Sequence, residues 1–257
     1  NSSDTRKILS QVDLKELDLK ELYHWEIDQE QLRQIDEWRK LPTLYQIALD
    51  ELQNKLKLIQ TEWKIHNGYS PIEHIKTRIK EPKSILEKLD RKGYEMTVDN
   101  MISKIHDIAG MRIVFSFVKD IYSLLEHFKQ REDLTILEVK DYIAHPKPNG
   151  YQSLHVIVAV PLTLFEGKRL MKIEIQMRTL AMDFWASMEH ILFYKYDKQV
   201  PPHVVKELTE AAIAADELDK KMHGLRKEIM GSSEAQIPKK SDNLIDVSQL
   251  LLENRSS

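Results

Sequence analysis

The spacing of apolar positions changes twice along the chain. Up to residue 67 they recur at intervals of three and four. Leu14, Leu17, Leu19 and Leu22 sit among charges, and after Pro42 the run Leu44, Ile47, Ala48, Leu52, Leu56, Ile59 and Trp63 keeps helical spacing until Asn67-Gly68 stops it. From residue 68 the period shortens. Ile75, Thr77 and Ile79 alternate with Lys76, Arg78 and Lys80, as in a strand with two unlike faces. Pro82 opens a short helix carrying Ile85, Leu86 and Leu89, and Gly93 ends it. Residues 111–118, 134–142, 154–160 and 170–177 are predicted as further strands, with an amphipathic helix over 121–128. Beyond residue 180 the helical period returns. Phe184, Trp185, Met188 and Leu192 share one side of a helix, and the Phe184-Trp185 pair is expected in the core. Val204, Leu208, Ala212, Ala215, Leu218, Met222, Leu225 and Ile229 stripe the last helix. Strands interleaved with helices predict an α/β (α+β) fold, a mixed sheet flanked by helices. The expected organisation is an N-terminal helical extension (1–67), a central domain (68–200), a C-terminal helix (201–230) and a flexible tail (231–257).

Composition removes several classes of function. The chain has 257 residues and no cysteine, which excludes disulfides, thiolate nucleophiles and zinc–thiolate sites. A formal net charge of -3 with 31% charged residues argues neither for nor against a nucleic-acid partner, so any such argument rests on local patches. No apolar run approaches the ~20 residues that span a bilayer, so a soluble cytoplasmic protein is expected. Only seven glycines occur, in neither a P-loop nor a dinucleotide-binding pattern. A phosphate site here has to be built from side chains.

Three local constellations carry candidate chemistry. Residues 76–92 hold seven Lys/Arg against three acids in a chain that is acidic overall. Lys76, Arg78 and Lys80 project from one face of a strand, and Ser84, Lys88 and Arg91 from one face of the helix after it. With the open N–H groups of that helix start they can converge on a polyphosphate, although a solvated basic face has the same composition. The second constellation is acidic. Asp107 enters a strand, and Glu174 lies on the polar side (Lys172, Glu174, Gln176, Arg178) of an otherwise apolar one. Two carboxylates on neighbouring strands can hold Mg²⁺, and Glu174 can take a proton from an attacking hydroxyl; a half-exposed edge strand is the plainer alternative. Third, the loop from His145 to Ser153 is stiffened by Pro146 and Pro148 and turned by Asn149-Gly150. It presents Lys147 and Tyr151, a point charge for phosphate and a surface for a base.

Taken in order, Arg78-Ile79-Lys80-Glu81-Pro82-Lys83-Ser84, His106-Asp107-Ile108-Ala109-Gly110-Met111-Arg112, Pro148-Asn149-Gly150-Tyr151-Gln152-Ser153-Leu154-His155, Glu174-Ile175-Gln176-Met177-Arg178-Thr179 and Ala181-Met182-Asp183-Phe184-Trp185 through His190 resemble the synthetase domain of the RelA/SpoT homologue family. Five ordered motifs over about a hundred residues outweigh the plainer readings. With neither a hydrolase region before them nor regulatory regions after, the chain is similar to stand-alone small alarmone synthetases, and to their RelP rather than RelQ branch. The resemblance implies a nucleotidyltransferase-like fold, with 68–200 as the synthetase domain. It implies attack of the 3′-hydroxyl of GDP or GTP on the β-phosphorus of ATP, with AMP leaving and Mg²⁺ as cofactor. Arg78 and Arg112 would sandwich adenine, and Lys80, Ser84, Lys88 and Arg91 would hold the ATP phosphates. Asp107 and Glu174 would be the catalytic carboxylates and bind the metal. Tyr151 would stack on guanine, while Lys147, His155, Gln176 and Asp183 would complete the acceptor site. Position 183 is Asn in the RelQ branch, so the guanine-edge contacts there differ. In that branch Phe and Thr also stand where His74 and Lys76 do, at a product-binding regulatory site, so product activation is not expected of this chain. The family's ring-like homotetramer, built through helical flanks, is the expected assembly. Two alternatives are a nucleotidyl transferase of related fold, which would release free pyrophosphate, and a non-catalytic RNA-binding module using the basic face and Tyr151.

Overall fold

The computed structural model describes residues 29–195 and 200–234. The leucines at 14–22 and the tail from residue 235 lie outside them. In chain order the elements are α1 (Gln29–Asn67), β1 (Ile72–Ile79), α2 (Pro82–Arg91), α3 (Val98–Lys104), β2 (Ala109–Phe115), α4 (Val118–Lys129), β3 (Thr135–Asp141), β4 (Leu154–Leu164), β5 (Gly167–Thr179), α5 (Leu180–Lys195) and α6 (Pro202–Glu234).

The five strands form one sheet in the order β1-β2-β5-β4-β3. Only β2 and β5 run parallel; the other pairs are antiparallel. The mixed sheet flanked by helices is the expected fold. Its apolar face carries Met111, Ile113, Val156, Val158, Ile173 and Ile175, all buried. They share one core with Tyr45, Leu49, Leu52 and Leu56 of α1, Ile85 and Leu89 of α2, Met101 of α3, and Leu124 and Phe128 of α4. Each such side chain taken from water contributes about 2 kcal/mol.

That burial carries α1 through a proline. Pro42 lies inside the helix. Proline costs a helix interior about 3 kcal/mol, because its ring clashes with the preceding turn and it lacks an N–H. Trp38, Leu41, Tyr45, Ala48 and Leu49, all at most 2% exposed on either side of it, offset that cost. Gly68 then stops the helix with φ +73° and an N–H donated to the Lys64 carbonyl at 2.9 Å.

A compact unit ends at Asp219, and a second begins at Lys220. In the first, a small separate core joins Trp185 and Ala186 of α5 to Leu208 and Ala212 of α6. Phe184 is not in it: this side chain, expected to be buried, is 68% exposed. α5 is rich in apolar residues; its Met182 and Trp185 side is buried, while Leu180, Phe184, Met188 and Ile191 are exposed. In the second unit Met222, Leu225 and Ile229 are exposed, and α6 continues to Glu234, past the predicted end at 230.

Candidate active site

Strand register assembles the site. Lys76, Arg112, Gln176, His155 and Lys140 are paired neighbours across all five strands. The next row runs Arg78, Gly110, Glu174, Ile157 and Glu138. Paired residues on adjacent strands point to the same face, so these rows form a polar surface opposite the core. Gly110 matters for its missing side chain. Arg78 lies across it, and a Cβ there would stand 3.3 Å from Arg78 Nε. Arg78, Gly110, Arg112 and Gln176 line a shallow cleft in this face.

At one end of the cleft the basic cluster meets a carboxylate. α2 buries Ile85, Leu86 and Leu89, which leaves Lys88 on its other side. Lys88 Nζ donates to Asp107 Oδ1 at 2.7 Å, and Lys80 Nζ donates to Oδ2 at 2.7 Å. Burial pushes the Asp107 pKa up, but the two ammonium groups outweigh it and bring the net value down to about 2.

Glu174 is held from both sides. Gln176 Nε2 donates to its Oε2 at 3.1 Å, and His155 Nδ1 stands 3.4 Å from Oε1. His155 is itself tied to a further pair of side chains. Arg178 Nη2 can only donate, and it reaches Tyr151 Oη at 2.6 Å. Tyr151 Oη lies 2.8 Å from His155 Nε2, and because the ionised Glu174 carboxylate can only accept, Nδ1 carries a hydrogen toward it. Burial raises the Glu174 pKa and the Asp107 charge adds to that, yet His155 and Gln176 together hold it below its ordinary value. The carboxylate is ionised at neutral pH.

Asp107 and Glu174 are the groups that could hold a metal. Among the described residues no cluster of three or more His, Asp or Glu is arranged as a complete metal cage. Two ionised carboxylates within electrostatic reach of each other fit Mg²⁺, which takes one or two carboxylates together with water and substrate phosphates.

The loop from 145 to 153 brings Tyr151 to this face. Gly150 donates its N–H to the Lys147 carbonyl at 2.8 Å, and Asn149 Oδ1 accepts the Tyr151 N–H at 3.2 Å. Lys147 Nζ lies 4.7 and 4.8 Å from the ring centres of Tyr142 and Tyr151. Gly150 has φ +90°, and a Cβ there would fall 2.5 Å from the Ala212 Cβ of α6. Gly150→Ala is therefore expected to lower stability by about 2 kcal/mol, since both backbone conformation and packing oppose it. Chemical denaturation checks this; a midpoint equal to wild type would contradict the close approach.

Of the predicted site residues, Arg78, Arg112, Glu174, Gln176, His155 and Tyr151 come together on one face, with Lys147 over the Tyr151 ring. Lys80, Lys88 and Asp107 form one cluster beside them. Ser84 and Arg91 sit on α2 without a hydrogen bond or ion pair to these residues. Asp183 is already engaged, its Oδ1 3.3 Å from Arg178 Nη1 and 3.4 Å from Arg112 Nη1. Sequence reasoning gave no role to Arg178 or Tyr142. Arg178 did leave a signal, as the charged end of the polar side of β5.

Comparison with known proteins agrees with this geometry. The family profile described as a region found in RelA / SpoT proteins matches residues 77–199. GTP pyrophosphokinase YwaC of Bacillus subtilis is 49% identical over 195 residues, covering 76% of this chain and 93% of YwaC. The crystal structure of small alarmone synthetase 2 from Bacillus subtilis superposes with a TM-score of 0.68 at 48% identity, over 75% of this chain and 99% of that one. Small alarmone synthetase 1 from the same organism, solved bound to its product pppGpp, gives 0.68 at 40% identity, over 75% and 98%. The chain belongs to the RelA/SpoT family, among proteins similar to its small alarmone synthetases.

Proposed function

We propose that the protein is a (p)ppGpp synthetase, a GTP/GDP diphosphokinase that moves the pyrophosphate of ATP to the 3′-hydroxyl of GDP or GTP. The bond from the 3′-oxygen to the β-phosphorus forms, the bond between that phosphorus and the α,β-bridging oxygen breaks, and AMP leaves with the bridging oxygen. The observation that carries this reading is the placement of ionised Glu174 on one sheet face with both the Lys80–Lys88–Asp107 cluster and the Tyr151 platform, in a chain 49% identical to a GTP pyrophosphokinase.

Arg78 and Arg112 are assigned to adenine. Lys80, Ser84, Lys88 and Arg91 are assigned to the ATP phosphates, so the two lysines would share their hydrogens between Asp107 and phosphate oxygens. An ammonium has three, and can do so. Tyr151 would stack on guanine, while Lys147 and Gln176 would meet the acceptor. Glu174 takes the proton of the 3′-hydroxyl. Asp107 and Glu174 would hold Mg²⁺, which when bound draws charge from the phosphate oxygens. Beyond this, the protein positions the two nucleotides and supplies cationic charge.

Leu180, Phe184, Met188 and Ile191 are exposed along α5, which supports the expected homotetramer. No helix among the described residues is long and apolar enough to cross a membrane, and a cytoplasmic location is part of the proposal.

The test uses ATP labelled at the γ-phosphate, Mg²⁺ and GDP or GTP. Label is expected in a more highly phosphorylated guanosine nucleotide with equal release of AMP. Free pyrophosphate would indicate nucleotidyl transfer instead, and no transfer to any guanosine acceptor by folded protein sinks the assignment. Tyr151→Ala is expected to raise the acceptor KM about tenfold, since one stacked base contributes about 1–3 kcal/mol. An unchanged acceptor KM would remove Tyr151 from the site.

A further inference from the structure

Arg178 is only 4% exposed, at the end of β5. A buried guanidinium needs partners for its donors, and it has four. Nη2 donates to Tyr151 Oη at 2.6 Å and to Gln176 Oε1 at 3.0 Å. Nε donates to Ser153 Oγ at 3.4 Å, and Nη1 to Asp183 Oδ1 at 3.3 Å. Two of these partners, Tyr151 and Gln176, belong to the acceptor side of the proposed site.

The same carboxylate reaches the donor side. Asp183 Oδ1 is 3.4 Å from Nη1 of Arg112, whose Nε is buried and without a hydrogen-bond partner among the described residues. Asp183 Oδ2 is 3.9 Å from His74 Nε2. Two guanidinium groups thus meet at one oxygen. Burial and the charge of Arg178 both weigh against the Arg112 cation, and Asp183 counters them. Without that charge, Arg112 and Arg178 would repel each other away from their slots.

We propose that Arg178 and Asp183 are positioning residues that couple the two nucleotide slots, so that each nucleotide raises affinity for the other. This rests on the two-nucleotide reading above. A guanidinium offers an N–H edge to a carboxylate and a flat face to a base, so Arg112 can stack on adenine while still paired with Asp183. Stacking restricts Arg112, which fixes Asp183, then Arg178, and through Arg178 the Tyr151 hydroxyl and the Gln176 amide. The chain of contacts also runs in reverse, as linkage requires.

The experiment measures equilibrium binding of α,β-methylene ATP with and without saturating GDP, and of GDP with and without the analogue. Wild type is expected to show about fivefold or greater enhancement, equal in both directions. In Asp183→Asn, and independently in Arg178→Lys, the factor is expected to fall toward one. Arg178→Lys keeps a cation but cannot reach Tyr151, Gln176 and Asp183 together. It decides the matter if the first variant does not fold. Independent binding in wild type, or the wild-type factor in both variants, overturns the coupling alone. Failure of folded wild type to bind either nucleotide overturns the synthetase reading and the coupling with it.

Discussion

Glu174→Gln is expected to lower the rate of pyrophosphate transfer by about 10²–10⁴-fold while the protein stays folded, since general-base catalysis contributes on that scale. The substitution keeps shape and removes the charge. Glu174 sits between Gln176 and His155, and His155 Nδ1 carries a hydrogen toward it because an ionised carboxylate can only accept. Glutamine can still accept from His155, so neighbouring side chains keep their places, but it cannot take the 3′-hydroxyl proton. The measurement is a single-turnover rate with saturating ATP and GDP, beside a thermal melt. A variant within tenfold of wild type would remove Glu174 as the base. A large loss with an unchanged melting temperature separates chemistry from folding.

How much of this was legible in the sequence depends on the range of the interactions. β1 and β5 could be read directly, because a strand with one polar side leaves a period-two trace: Lys76, Arg78 and Lys80 in one, Glu174, Gln176 and Arg178 in the other. Register across strands could not be read. That Arg78 lies beside Gly110, which in turn faces Glu174, follows from pairings between segments far apart in the chain. Phe184 misled because tertiary packing decides which face of a helix is buried. A helix with apolar residues on several sides does not reveal which side is covered, and α6 covers the side of Trp185, whose Nε1 donates to the Leu208 carbonyl at 2.7 Å. Arg178 was visible as a charge on β5, but its role depends on the side chains that close round it, among them Asp183, which follows in α5, and Tyr151 of the loop.

Asp107→Asn is the second large effect, and it divides into two measurements. In the assay it is expected to lower transfer by at least about 10²-fold, because the change removes both an oxygen ligand suited to Mg²⁺ and the charge that holds Lys80 and Lys88 in position. In the metal-free and nucleotide-free protein the same carboxylate acts on stability. Its pKa falls from 3.8 to about 2 on folding, so the folded state favours the ionised form. For a carboxylate with a depressed pKa the contribution is present above the unfolded value and disappears as pH drops through the folded one. The shift corresponds to about 2 kcal/mol at neutral pH, with both lysine side chains about four-fifths buried and little screened. Wild type is therefore expected to exceed Asp107→Asn by about that amount above pH 4, and the two unfolding curves should converge between pH 4 and pH 2. A constant gap across that window would mean that the variant's cost lies in packing rather than charge. No gap at neutral pH would mean that Lys80 and Lys88 are held by something other than Asp107. If activity is lost while the neutral-pH gap stays small, Asp107 serves the bound nucleotide and its metal more than the resting fold.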